Sequence, residues 1–511
     1  MSDAEGIPVL PGLLARRRMP GAVLAGMLAA LGQAPVALPW ATLAGLAIAF
    51  LLHQHSKAAK GAGWVGWAFG VGYFAAALFW IIEPFFVEPW RHGWMAPFAL
   101  VGLAGGLAIF WGVAAALARW LAPSSWAMAL AWAGCLTLAE LARSYVLTGF
   151  PWGLIGHVWV GWAPMQLAAW VGPNGLTFLT VLLVSLGLTG WQRQRIMALV
   201  VAVPFAVLYG LAMWQAALPV PAAAERPILR LVQPNAAQHL KWHPDHVMEF
   251  FQRQVDYTGA AAKMPLDLII WPETAIPFLL NRAEGALARV TQAAGGVPVV
   301  LGIQRSDDGG YYNSLISLDE TGVVAQVYDK AHLVPFGEYI PLASVLSRTP
   351  LAVFVEEFGY GYASGPKQGK GAELVDLGSL GRVLPLICYE AIFPQDVNAA
   401  PERADWLLQI TNDAWFGQIA GPYQHLAQAR LRAVEQGLPM VRVANTGVSA
   451  IIDARGQITA QIGLGQAGFL DAMLPPGLPP TFYARFGDGP ALVVLLLLLL
   501  GLVALRLRKR H

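Results

Sequence analysis

Three short segments of this chain each end an apolar run in a side chain that could do chemistry. Val383–Ile387 runs into Cys388-Tyr389-Glu390, Leu268–Trp271 into Pro272-Glu273-Thr274, and Val323–Tyr328 into Asp329-Lys330. A thiol at a strand end beside a carboxylate is a common way to mount a nucleophile. A free thiol is only a few per cent ionised at neutral pH, so it needs a base or a cation close by. Glu273 is of the type that takes such a proton and later returns it. Lys330 is a point charge suited to a thiolate and then to the oxyanion of a tetrahedral intermediate. Taken singly, each has a plainer reading: a small core residue for Cys388, a solvated side chain for the other two.

The elements that must bring these residues together begin after a Pro- and Ala-rich linker, Pro219–Arg226. From there strand and helix patterns alternate. Strands are expected at Ile228–Val232, Leu266–Trp271, Val297–Ile303, Ser314–Leu318 and Val323–Tyr328, then at Arg382–Ile387, Trp406–Thr411, Met440–Ala444, Ser449–Asp453 and Gln457–Ile462. Helices are expected at His243–Lys263, Arg282–Ala294 and Tyr423–Gln436. Several strands are joined by hairpins, such as the turn Asp319–Gly322, which implies a mixed two-sheet α/β sandwich. The edge of such a sheet is where α/β proteins build their sites.

The rest of the chain belongs to lipid. Of its 511 residues 56% are hydrophobic and 13% charged, the latter about half the soluble average. A net charge of +2 gives no reason to expect a nucleic-acid partner. Apolar segments at 20–36, 38–54, 63–83, 95–118, 125–144, 164–190 and 196–214, and again at 489–505, approach the ~20 residues a crossing helix needs. The first two are short and could form one re-entrant pair. Cys135 lies in such a segment, so no disulfide with Cys388 is expected. Arg16, Arg17 and Arg18, Lys57, Lys60, Arg119, Arg193, Arg195, and the tail from Arg506 to Arg510 fall on one side, which the positive-inside rule makes cytoplasmic. That puts both termini in the cytoplasm and the α/β segment outside. The expected domains are 1–218 (seven helices), 219–480 (α/β) and 481–511 (a last helix and basic tail). Aromatics of the outward loops, among them Trp80, Trp90, Trp94 and Thr148–Trp152, suit an interfacial belt; the last group could instead brace the outside domain or line a lipid entry.

WPET at 271–274, YDKAHLVPFGEYIP at 328–341 and ICYE at 387–390 resemble the nitrilase superfamily and its Glu–Lys–Cys order. LKWHP at 240–244, TNDAWFG at 411–417, PYQHLAQARLRAVEQGLP at 422–439, ANTGVSAIID at 444–453 and TGFPW at 148–152 narrow the resemblance to its membrane-embedded branch, the apolipoprotein N-acyltransferases. The resemblance implies a multi-pass α-helical membrane domain carrying an αββα nitrilase-like domain on the periplasmic side of the inner membrane. It implies Glu273 as general base, Lys330 as oxyanion stabiliser and Cys388 as acyl-carrying nucleophile. Glu338, Glu390 and Tyr389 would be supporting residues, and Trp242 and Trp415 would contact substrate. The implied donor is a membrane phospholipid, mainly phosphatidylethanolamine, and the acceptor the α-amine of a diacylated apolipoprotein. No cofactor, metal site or oligomer is expected. Ala343–Gly369, apolar and punctuated by glycines, could be a lid that dips into the bilayer or a loop packed on its own domain. Two other functions compete. A tethered amidase of the same superfamily would not need so many spans, and a transporter would need ionisable residues within them.

Overall fold

The computed structural model describes residues 18–219, 226–307, 310–349 and 367–508. The chain forms two compact units: residues 1–219 with 419–435 and 480–511, and residues 220–418 with 436–479.

The first unit is helical and apolar. Among its described residues, five helical stretches are long and apolar enough to cross a membrane: Pro89–Leu121, Ser125–Tyr145, Ala163–Arg193, Arg195–Ala217 and Gly489–Arg508. Ala59–Ala77 and Phe79–Phe86, bent by 47°, make a sixth if they are one span. The two earliest segments contain the described helices Arg18–Ala30 and Pro39–Gln54. The second, 16 residues, is about 24 Å long at ~1.5 Å per residue against a hydrocarbon core of about 30 Å. Small residues let these helices approach closely. A Cβ on Gly72 would lie 2.0 Å from the Val23 carbonyl, and one on Gly45 2.4 Å from that of Ala25.

The buried charges of this unit serve its structure. Arg143 pairs with Glu140 at 3.0 Å and donates to the carbonyls of Phe150 and Trp152, while Glu140 also accepts the Trp111 indole at 2.7 Å. The loop holding TGFPW is thereby fastened inside the unit. Trp152 and Trp80 are buried and both donate to Gln424 Oε1, at 2.8 and 3.0 Å, whereas Trp90 is fully exposed.

Gln424 belongs to the helix Gly421–Gln436, which the sequence pattern puts in the α/β domain. Its residues through Glu435 group instead with the apolar helices. Gln424 Nε2 donates to the carbonyls of Ala34 and Ala77, and Ala427, Leu431 and Val434 pack with Val158, Trp159, Met165 and Leu176.

The second unit holds twelve strands among its described residues: β1 (Ile228–Gln233), β2 (Leu268–Ile270), β3 (Val299–Asp307), β4 (Gly310–Leu318), β5 (Val324–Asp329), β6 (Val375–Asp376), β7 (Arg382–Ile387), β8 (Trp406–Thr411), β9 (Met440–Ala444), β10 (Ser449–Ile452), β11 (Ile458–Ile462) and β12 (Gly468–Met473). They form two six-stranded sheets, ordered β12-β1-β2-β3-β4-β5 and β11-β10-β9-β8-β7-β6. Each has a parallel core, β1-β2-β3 and β7-β8-β9, extended by antiparallel strands: β4, β5 and the sequence-distant β12 in the first sheet, β6, β10 and β11 in the second. The parallel strands are buried along almost all of their length, apart from Arg382 at the start of β7 and the part of β3 beyond Ile303, which accounts for their Val, Ile and Leu runs. One face of each sheet meets in a shared core of Leu231, Ile270, Val300, Val383, Ile410 and Val441. The other face of the first sheet is covered by the helices Val247–Thr258 and Glu284–Ala294 through Phe251, Leu287 and Val290. This is the mixed two-sheet α/β fold expected from the pattern, with β6 and β12 added at its edges.

Candidate active site

Glu273, Lys330 and Cys388 each follow the last residues of a strand: β2, β5 and β7 respectively. Lys330 is almost fully enclosed, its Nζ 2.8 Å from Glu338 Oε1 and 3.7 Å from Glu273 Oε1. The other oxygen of Glu338 accepts the Val334 amide at 2.7 Å, which ties the loop after β5 back onto the lysine.

The Glu273 turn is held from below. Gly302 of β3 receives it so closely that a Cβ there would lie 2.6 Å from both the Pro272 carbonyl and the Thr274 nitrogen. Thr274 sits at φ 45°, a left-handed conformation that costs a non-glycine residue energy and persists only where surroundings enforce it. Asn313 of β4 donates its Nδ2 to Glu273 Oε1 at 2.7 Å, and its carbonyl accepts the Lys330 amide at 2.8 Å. One residue thus positions both charged members.

Cys388 opens the short helical turn Cys388–Ile392 at φ 53°, again left-handed. Its carbonyl accepts from Gln409 at 3.1 Å. Gln409 is held by Arg442, whose guanidinium also pairs with Asp413. All three are fully buried, so the strand end bearing the thiol stands on a rigid polar network.

The proton affinities suit a base and a nucleophile that exchange a proton. Burial pushes the Cys388 thiol well above its ordinary range and the Glu273 charge adds to this, while Lys330 and a Thr411 hydrogen bond oppose it. At rest the sulfur is therefore protonated. Burial also raises Glu273; Lys330, the Asn313 hydrogen bond and Lys241 pull it back, while Glu338 pushes it further up. Burial would lower Lys330, but Glu338, Glu273 and Cys388 carry it above its ordinary value, so it stays a cation. This arrangement has a fixed cation for an oxyanion and a carboxylate whose proton affinity is raised toward that of a working base.

Other residues singled out from the sequence fall in different places. Glu390 is buried; its Oε1 accepts from Tyr328 at 2.8 Å and from Ala331 at 2.6 Å, and its Oε2 from Ile387 at 2.6 Å. Burial raises it to about 7 despite these bonds. Tyr389 packs edge-on against Phe393 and His332. Trp242 is half-exposed and lines a cavity with Glu273, Thr274, Phe250 and Pro277. Trp415, 40% exposed on the turn Asp413–Phe416, is not among that cavity's walls. Most of the lid candidate, residues 350–366, lies outside the described residues. Asn313, Lys241, Gln409 and Arg442 carry no mark in the strand pattern; of these only Lys241 stands in a quoted motif, LKWHP.

Residues 228–478 match the carbon-nitrogen hydrolase family, and residues 25–186 match the apolipoprotein N-acyltransferase N-terminal domain. The chain is 39% identical to an apolipoprotein N-acyltransferase of Caulobacter vibrioides over 95% of this chain and 94% of that one. It is 37% identical to one of Rhodopseudomonas palustris, over 95% of each. Among solved structures, a CN-hydrolase superfamily protein of Xanthomonas campestris is 22% identical, with a TM-score of 0.35 over 49% of this chain and 91% of that one.

Proposed function

This chain belongs to the apolipoprotein N-acyltransferases, and from that premise we propose that it moves an acyl chain from a membrane phospholipid to the α-amine of a diacylated apolipoprotein through a thioester on Cys388. The observation that carries the reading is the buried Lys330 within 3.7 Å of the buried Glu273 carboxylate, both following strand ends as Cys388 does.

In the first half, Glu273 takes the thiol proton as sulfur attacks the ester carbonyl, and Lys330 neutralises the oxyanion that forms. The carbon–oxygen bond breaks, Glu273 returns the proton to the departing oxygen, and a lysophospholipid leaves. In the second half the α-amine attacks the thioester and gives its proton to Glu273. The carbon–sulfur bond breaks, the thiolate is reprotonated, and an amide results. No redox partner is needed. Glu338 holds Lys330, while Glu390 and Tyr389 shape the turns on either side of the sulfur. Trp242 contacts substrate at the cavity beside Glu273, and Trp415 does so from its exposed turn. Phosphatidylethanolamine is the donor.

The catalytic unit lies on the periplasmic side of the inner membrane with both termini in the cytoplasm, as the basic residues suggest, and the protein works as a monomer. With both substrates anchored in one leaflet, the search becomes two-dimensional. The test is to supply phospholipid vesicles with a diacylglyceryl-cysteinyl peptide. A triacylated peptide supports the reading; free fatty acid with unmodified peptide makes the protein a hydrolase.

A further inference from the structure

Lys241 is a second buried cation at this site, and no catalytic step above uses it. It sits at the end of the short helix Gln238–Lys241, 7% exposed. Its Nζ donates to Thr274 Oγ1 at 2.9 Å and to the Glu273 carbonyl at 3.3 Å, and lies 5.1 Å from the centre of the Trp242 ring. These partners are neutral oxygens and a π face; among the described residues no carboxylate is bound to it directly. Lys330, by contrast, holds two carboxylates. Of the charges directly around Glu273, Lys330 and Lys241 stand against Glu273 and Glu338. Moving the Cys388 proton to Glu273 leaves that sum unchanged, whereas without Lys241 the thiolate would form with one positive charge fewer to offset it.

We propose that Lys241 is a positioning residue that fixes the strained Glu273–Thr274 turn and supplies the second positive charge that lets Cys388 ionise. It acts through Glu273 and the sulfur rather than on substrate. This rests on reading Cys388 as the nucleophile and Glu273 as its base. The groups facing Lys241 are few. Glu273 and Cys388 come from the ends of β2 and β7, with Lys330 and Glu338 beyond Glu273. The helix packed against the same cavity contributes Phe250, Phe251 and Gln254, none of them ionisable, and the loop after β9 contributes Asn445. Burial lowers Lys241 to about 8, partly offset by Glu273 and Cys388, so its charge is lost as pH rises through that value.

The experiment is the rate of Cys388 alkylation by iodoacetamide against pH, in full-length protein in lipid nanodiscs, with a Cys135→Ala background. Lys241→Met, which keeps the stem and removes the charge, should slow alkylation at pH 7 at least tenfold and move the profile to higher pH. Lys241→Arg should restore the rate and remove the loss near pH 8. Thr274→Val, which removes the hydrogen bond and keeps the charge, should leave the profile's position near that of the parent. A Lys241→Met protein with the parent's profile overturns the proposal, even if acyl transfer is impaired. Absence of alkylation in the parent at any pH would instead overturn the role of Cys388.

Discussion

The Glu390 carboxylate accepts the Ala331 amide at 2.6 Å, so the residue two places after the thiol clamps the turn that follows the lysine. The same carboxylate accepts Ile387, just before the thiol. Two strand ends from different sheets are thereby fixed to one another through one side chain.

Glu390→Gln should therefore impair both stability and turnover. An amide has a single acceptor oxygen and would turn its NH2 toward a backbone N–H, leaving a buried donor unpaired at a cost of about 1–3 kcal/mol. The sign of the pH effect follows from burial. Glu390 is raised from 4.5 to about 7, so the folded state holds its proton where the unfolded state releases it. Its contribution is lost as pH rises from about 4.5 to 7 and is flat above. Thermal unfolding of parent and variant across pH 4–8 checks this: the gap between them should narrow toward the high end of that window.

Gly302→Ala should abolish turnover in a protein that still folds. Backbone, not flexible side chain, meets the added Cβ at 2.6–2.7 Å from Pro272, Glu273 and Thr274, so the base must move. A displacement near 1 Å is enough to cost about 100-fold in rate. Single-turnover acylation against thermal stability separates the two effects; unchanged acylation would show that the turn yields without consequence.

Arg230→Met should loosen β12. The Arg230 guanidinium is fully buried, grips Asp471 through two bonds of 2.7 Å and donates to the Thr258 carbonyl at 3.0 Å. Leaving Asp471 without its partner at this part-buried position should cost less than the ~3–5 kcal/mol of a fully buried pair. Amide exchange at residues 468–473 should accelerate ahead of the rest of the sheet, and uniform acceleration would contradict a local role.

What could be read in advance follows from how local each cause is. Glu273, Lys330 and Cys388 stand out because each ends a strand whose buried Val, Ile and Leu run is visible in the chain. Lys241 does not, because its burial is created by oxygens 32 residues away. Asn313 is hidden for a similar reason, 40 residues from the carboxylate it holds. The strand β12 is only half-buried, and Asp471 reads as a surface residue until Arg230 is seen opposite. Helix Gly421–Gln436 carries a soluble-looking polar pattern, yet Gln424 is satisfied by tryptophans 344 and 272 positions earlier. The two earliest apolar segments read as two spans or as one re-entrant pair, because composition does not register the turn of residues 31–38 between them.

The central claim, an acyl chain carried on Cys388, is tested most directly by the intact mass of the protein after incubation with phospholipid and no acceptor. The account predicts one added acyl chain on the parent, removed by hydroxylamine and absent from Cys388→Ala. An acyl adduct of the same mass on Cys388→Ala would contradict it.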